Sequence, residues 1–163
     1  KEITDQLFGS IAVVGCMLMA TGTLLWLTRK ISGEGRPVDQ TTFKDALIIG
    51  IVQGLAILPG ISRSGSTIAT ALFLGVDRKL AGRYSFLLSI PAIAGALVLG
   101  LDAPEMQTTI PLGTIIAGSV VSALVGWFAL VVLLRVVDRG QLHLFAPYCW
   151  LVGVVTLVLT WMG

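Results

Sequence analysis

Residues 53–67 read Gln53-Gly54-Leu55-Ala56-Ile57-Leu58-Pro59-Gly60-Ile61-Ser62-Arg63-Ser64-Gly65-Ser66-Thr67, an arginine and four hydroxyls set between apolar runs. The flanking runs, 46–58 and 67–76, each have about half of the roughly 20 residues an α-helix needs to cross a bilayer. Pro59-Gly60 and Gly65 mark the stretch between them as a turn. A charge in such a region is costly and defaults to a functional reading. A helix starting near Ser64 to Ser66 directs its unpaired first-turn amides into the break, and a helix N-terminus carries about half a positive charge. Arg63 adds a planar fork of donors. Ser62, Ser64, Ser66 and Thr67 offer further hydrogen bonds, and Gly60 and Gly65 allow close backbone approach. The set suits an anion with several oxygens, most simply a phosphate. Gln53, two turns before the break, is a candidate for the same cavity, with an interhelical amide bond as its alternative. The plain alternative for the turn is that its serines cap the helix while Arg63 pairs with Asp77 or snorkels.

Composition sets the class. The chain has 163 residues, 55% hydrophobic and 12% charged, with a mean hydropathy of +0.92. Soluble domains average about 25% charged residues, so this chain reads as an integral membrane protein. A net charge of +2 without a basic run is too small to argue for nucleic-acid binding, and no nucleic-acid partner is expected. Cys16 and Cys149 lack metal-ligand spacing and read as small packing residues. The segment after Lys1 carries Glu2 and Asp5, and no small-residue cleavage site follows the first apolar run, so no signal peptide is expected in it.

The expected fold is all-α, one membrane domain over 1–163, with spans at 8–28, 84–101, 112–134 and 144–162. Charge placement chooses between a single broken span and a re-entrant hairpin at 46–76. With a hairpin, Arg29, Lys30, Arg36, Lys44, Arg78, Lys79, Arg83, Arg135 and Arg139, nine of the eleven basic residues, share one side. A broken span would move Arg78, Lys79 and Arg83 across. The hairpin is therefore expected, its tip near mid-membrane and facing the outer side, in a wet cavity that tolerates irregular backbone. Gly118, Ser122 and Gly126, and Ala92, Ala96 and Gly100, recur every four residues and read as helix-packing stripes. Pro91 is expected to kink its helix, and Asp77 to cap the helix beginning at Arg78.

The turn has no acidic residue or histidine near it. His143, the single histidine, falls in the connection before the last span and reads as an interfacial loop residue. Phosphoanhydride hydrolysis calls for a nucleophile with a base, and often a metal held by carboxylates. The turn supplies a phosphate clamp and neither of these.

At these residues the chain resembles a family. Gln53-Gly54 and Leu58 through Ile68 are similar to the second signature of bacterial undecaprenyl-diphosphate phosphatases of the bacitracin-resistance type. Gly75-Val76-Asp77-Arg78 and Ser85-Phe86-Leu87-Leu88-Ser89-Ile90-Pro91 also fit. The resemblance implies a multi-pass enzyme of the bacterial inner membrane that removes the terminal phosphate of undecaprenyl diphosphate and recycles the cell-wall lipid carrier. It implies an inverted-repeat architecture with two re-entrant hairpins and a site opening to the periplasmic side. Carried over, Arg63, Ser62 and Thr67 are catalytic, and Ser64, Gly65, Ser66, Gln53 and Gly60 bind substrate. The family's first signature, a glutamate-rich segment leading to a serine and a histidine, does not occur here. The chain therefore reads as the C-terminal part of such an enzyme. The divalent cation the family implies, Mg or Ca, is expected to take its ligands elsewhere. Expected partners are the membrane, a polyprenyl diphosphate and a second copy of the chain in a homodimer. Rival readings are a polyprenyl-phosphate transporter or flippase, a non-catalytic homologue, and a phosphatase of the phosphatidic-acid type. The last needs histidines near its serine-arginine motif.

Overall fold

A computed structural model describes residues 9–100 and 111–162. The described residues form six α-helices: α1 Ile11–Leu27, α2 Phe43–Leu55, α3 Arg63–Phe73, α4 Arg78–Gly100, α5 Leu112–Asp138 and α6 Ala146–Met162. Short 3-10 turns extend α1 through Lys30 and precede α6 at Leu142–Phe145. Four stretches are long and apolar enough to cross a membrane: Ile11–Lys30, Arg78–Gly100, Leu112–Asp138 and Leu142–Met162. The protein is a multi-pass membrane protein of all-α fold.

Several boundaries differ from those read in the sequence. The second span begins at Arg78 and not at residue 84, because Asp77 caps it through the Leu80 amide at 3.1 Å and the charged first turn is helical as well. The third runs on to Asp138, where Gly140 turns the chain at φ +68°. The hairpin helices each start three or four residues early. Thr42 and Asp45 form a reciprocal capping box at the start of α2, and Ser62 caps α3. The loop 102–111, expected to lie opposite the basic residues, falls almost wholly outside the described residues.

The hairpin returns to where it began. The Arg36 amide bonds the Gly75 carbonyl at 2.7 Å, and the Asp77 amide bonds the Arg36 carbonyl at 3.0 Å, so the chain before α2 pairs with the chain after α3. The Arg36 guanidinium locks the junction, reaching both carboxylate oxygens of Asp45 at 3.1 Å and the Leu74 carbonyl at 2.6 Å. Arg78 adds a bond to the Ile31 carbonyl at 2.8 Å and lies against Gly140. These contacts gather the end of α1, the base of the hairpin, the start of α4 and the end of α5 at one end of the bundle. At about 1.5 Å per residue, the 13 residues of α2 reach about 20 Å.

The core sits on α3. Ile68, Ala69, Ala71 and Leu72 are buried, and around them pack Leu25 of α1, Ile49 of α2, Ala81 of α4, Val137 of α5 and Ala146 of α6. The small residues of α3 let its neighbours approach closely. By contrast, most large apolar side chains of α5 between Leu112 and Phe128 are exposed, as lipid-facing surface requires. The stripes expected to pack helices do not do so among the described residues: Gly100, Gly118 and Gly126 have no neighbour within 4 Å of a Cβ position. The close approach is between α1 and α6. There a Cβ on Gly22 would come within 2.6 Å of the Trp150 ring, and one on Gly153 within 3.0 Å of the Gly15 carbonyl. Spacing alone marks small residues, and only the arrangement of helices selects which stripe is used.

The Asp45 carboxyl is held down at about 2, chiefly by its hydrogen bond from Arg36 and then by the Thr42 amide. A carboxylate whose folded pKa lies below its ordinary value near 3.9 stabilises the fold above that value, and the contribution is lost as pH falls toward the folded pKa. The protection of hairpin-base amides, relative to their intrinsic exchange rate at each pH, should therefore fall between about pH 4 and pH 2. Arg36→Ala should speed exchange at neutral pH and flatten that acid profile. An unchanged profile in Arg36→Ala would show that the clamp does not hold the base.

Candidate functional site

The site is built where the hairpin turns. Gly60 carries φ +94°, a left-handed conformation that favours glycine. A Cβ there would strike the Val14 carbonyl and come within 2.9 Å of the Met17 Cβ, so the turn is seated against the middle of α1. Thr21 fastens it. Its hydroxyl donates to the Gly60 carbonyl at 3.1 Å and accepts from the Ser62 amide at 3.2 Å. One side chain, 2% exposed, thus satisfies two backbone groups of the break.

Helix α3 starts at this fastening. Ser62 caps it by accepting from the Gly65 amide at 3.1 Å, and a Cβ on Gly65 would meet that capping oxygen at 2.9 Å. The Ser66 amide bonds the Ser62 carbonyl at 2.8 Å. The amides of Arg63 and Ser64 have no acceptor among the described residues. Neither does the Arg63 guanidinium, and the single described ion pair is Arg36–Asp45. Asp77 is occupied at the start of α4, so the expected rival pairing with Arg63 is not made. Unpaired amides at a helix start beside an unpaired, half-buried guanidinium form a concentrated positive site for an anion.

Two cavities flank the turn. One, of about 440 Å³, is lined by Arg63, Ser64, Ser85, Phe86, Ser89, Ile93, Gly126 and Leu130. The other, of about 680 Å³, touches Gly60, Ser62, Ser64 and Gly65 at the turn and otherwise runs between apolar side chains such as Leu18, Leu25, Ile68 and Phe128. Ser64 lines both. The sequence-chosen residues therefore divide. Arg63 and Ser64 share the polar cavity, while Ser62, Gly60 and Gly65 border the apolar cleft. Ser66 and Thr67 are buried at 3% and 1% exposure and line neither cavity. Gln53 also lines neither. Its amide donates to the Leu88 carbonyl at 3.4 Å, which is the interhelical bond weighed as its alternative, and its Oε1 is buried without a partner.

Sequence reasoning missed Thr21, Ser85 and Ser89. The last two carried a signal, since serines four apart share one face of a helix and both precede Pro91 in an otherwise apolar span. Thr21 carried none. A divalent cation does not fit the polar cavity. Its polar groups are a guanidinium and hydroxyls, and among the described residues no three His, Cys, Asp or Glu side chains come together.

The family model of the bacitracin resistance protein BacA matches residues 1–155. The chain belongs to the BacA family. It is 54% identical over 157 residues to an undecaprenyl-diphosphatase of Desulfatibacillum aliphaticivorans, covering 96% of this chain and 57% of that protein. It is 51% identical to the undecaprenyl-diphosphatase of Desulforapulum autotrophicum, again covering 57% of its length. A relative of the same name in Methanothermobacter thermautotrophicus is 43% identical, with 88% of its length covered. The chain thus spans a little over half the length of the first of these BacA-family relatives.

Replacing Thr21 by valine keeps the shape of the side chain and removes both bonds to the turn. A buried group left unsatisfied costs about 1–3 kcal/mol, so Thr21→Val should lower stability in detergent by about that amount, while Thr21→Ser retains most of it. Equal melting of the two variants would show that the hydroxyl is not what holds the turn.

Proposed function

We propose that this chain carries the phosphate-binding half of an undecaprenyl-diphosphate phosphatase, the reaction that releases inorganic phosphate and returns undecaprenyl phosphate to cell-wall synthesis. The observation that carries this reading is the unpaired Arg63 guanidinium beside the unpaired amides of Arg63 and Ser64. The names of the relatives and the apolar cleft next to the same turn support it. The cleft suits a polyprenyl tail leaving a phosphate held at the helix start.

In this proposal the terminal phosphoryl group sits against Arg63 and the start of α3. Its phosphorus gains an oxygen from water and loses the bridging oxygen, which departs with undecaprenyl phosphate. Negative charge develops on the departing bridging oxygen in the transition state, where a fixed guanidinium and oriented amides stabilise it. Ser64, at the junction of both cavities, is placed to hydrogen-bond a phosphate oxygen. Ser62 acts through the cap that orients the Gly65 amide. No carboxylate or imidazole lines the polar cavity among the described residues, so these side chains bind and orient and none of them is assigned the proton.

The finer topology belongs to the same proposal. The hairpin α2–α3 enters and leaves a bilayer on one side, since about 20 Å of helix falls short of the roughly 30 Å hydrocarbon core. Gathering the basic segments at one end of the bundle favours that end as cytoplasmic. The phosphate site then opens toward the periplasmic side of the bacterial inner membrane.

The test is phosphate release from undecaprenyl diphosphate by the full-length protein in detergent, where transport has no compartment to act on. Arg63→Ala should reduce kcat/KM by about 100- to 1,000-fold with unchanged melting. Arg63→Lys, which keeps the charge and loses the fork, should fall between it and wild type. Wild-type turnover by Arg63→Ala would overturn the assignment, and a wild-type protein that binds the lipid without releasing phosphate would favour a carrier.

A further inference from the structure

We infer that Ser85 of α4, which lies outside the signature turn, is a positioning residue that acts through Thr67 on the phosphate-binding end of α3; the inference rests on the reading above. The Thr67 Oγ1 lies 2.9 Å from the Arg63 carbonyl, 3.2 Å from the Ser64 carbonyl and 2.5 Å from the Ser85 Oγ. A threonine hydroxyl has one proton, and carbonyls only accept. Thr67 therefore donates to the first-turn carbonyls, and the proton between the two hydroxyls comes from Ser85. At 1% exposure and lining neither cavity, the Thr67 hydroxyl has no bulk water as a substitute partner.

The direction of this relay matters because peptide groups are planar. The Arg63 carbonyl and the Ser64 amide belong to one plane, so holding the carbonyl fixes the direction of that amide. The Ser64 amide is one of the two left without an acceptor at the start of α3. The Ser64 carbonyl shares its plane with the Gly65 amide, which the Ser62 cap holds from the other side. The relay thus ties the phosphate-facing turn to α4. Ser85 also lines the Arg63 cavity, so the tether is anchored in the wall of the site. Without the Ser85 proton, the buried Thr67 oxygen loses its donor and the Thr67 rotamer is free to leave the carbonyls.

The test uses the full-length protein with Ser85→Ala, Thr67→Val, the double variant and Thr67→Ser. Ser85→Ala and Thr67→Val should each lower kcat/KM about 10- to 100-fold, with KM rising by up to about tenfold. The double variant should be no worse than the more severe single one, because both break one relay. Thr67→Ser, which keeps the oxygen, should lose at least tenfold less than Thr67→Val. If Ser85→Ala melts too low to assay, the contrast between the two Thr67 variants carries the test.

A second readout does not depend on hydrolysis: protection of Arg63 from phenylglyoxal by inorganic diphosphate, read on the peptide that contains Arg63. The half-protecting concentration should rise about tenfold in Ser85→Ala, as expected for loss of one hydrogen-bonded group at a binding site. Protection in a wild-type protein that releases no phosphate would sink the hydrolase reading and leave the relay standing. Losses in Ser85→Ala and Thr67→Val that multiply in the double variant, or wild-type protection in Ser85→Ala, would overturn the relay.

Discussion

A helix broken among apolar side chains leaves backbone donors and acceptors that water cannot reach, and each must find a partner. At the turn between α2 and α3 the demand is met by one buried hydroxyl, that of Thr21, which donates to Gly60 and accepts from Ser62. The rest of the site depends on this arrangement. With the carbonyl before the turn and the amide after it secured by α1, the chain re-enters a helix at Arg63. At the start of α3 the amides of Arg63 and Ser64 have no acceptor among the described residues. The break is held where its polar groups are paired, and its free donors lie at the start of α3.

The same economy explains the distribution of burial. The small, hydroxyl-rich helix α3 occupies the core, with Ile68, Ala69, Ala71 and Leu72 buried. Large apolar residues lie outward on α4 and α5, as expected of a protein solvated by lipid. At the base, Arg36 closes the hairpin with Asp45 and the Leu74 carbonyl. The turn is therefore held at both ends, by a charge clamp where water is near and by a neutral hydroxyl deeper in. A second ion pair at the tip would have neutralised Arg63.

Much of this was legible in the residues. The half-length runs around Pro59-Gly60 pointed to two short helices joined by a turn, as the fold has them, and the motif's resemblance pointed to the family whose model the chain matches. Other features were not legible. Gly118, Ser122 and Gly126 carry the same packing signal as any small-residue stripe, yet in this fold it is Gly15, Gly22 and Gly153 that meet a neighbour. The resemblance puts Thr67 among the ligand-touching groups, whereas its hydroxyl is buried against the Arg63 and Ser64 carbonyls. Gln53 was weighed evenly between cavity and helix contact and donates to α4.

By itself the sequence determined what is local or additive: hydropathy and length made the spans, Pro59 and Gly60 made the break, and Ser62 made the cap. These follow from one residue and its chain neighbours. Only the tertiary structure decided which side chains from distant helices meet the turn. Thr21 is 39 residues from Gly60 and Ser85 is 18 from Thr67, and no periodicity links such pairs. Their meeting is fixed by how the other five helices close around α3, a choice made by packing shape and by pairing buried polar groups across helices. Composition does not encode either of these.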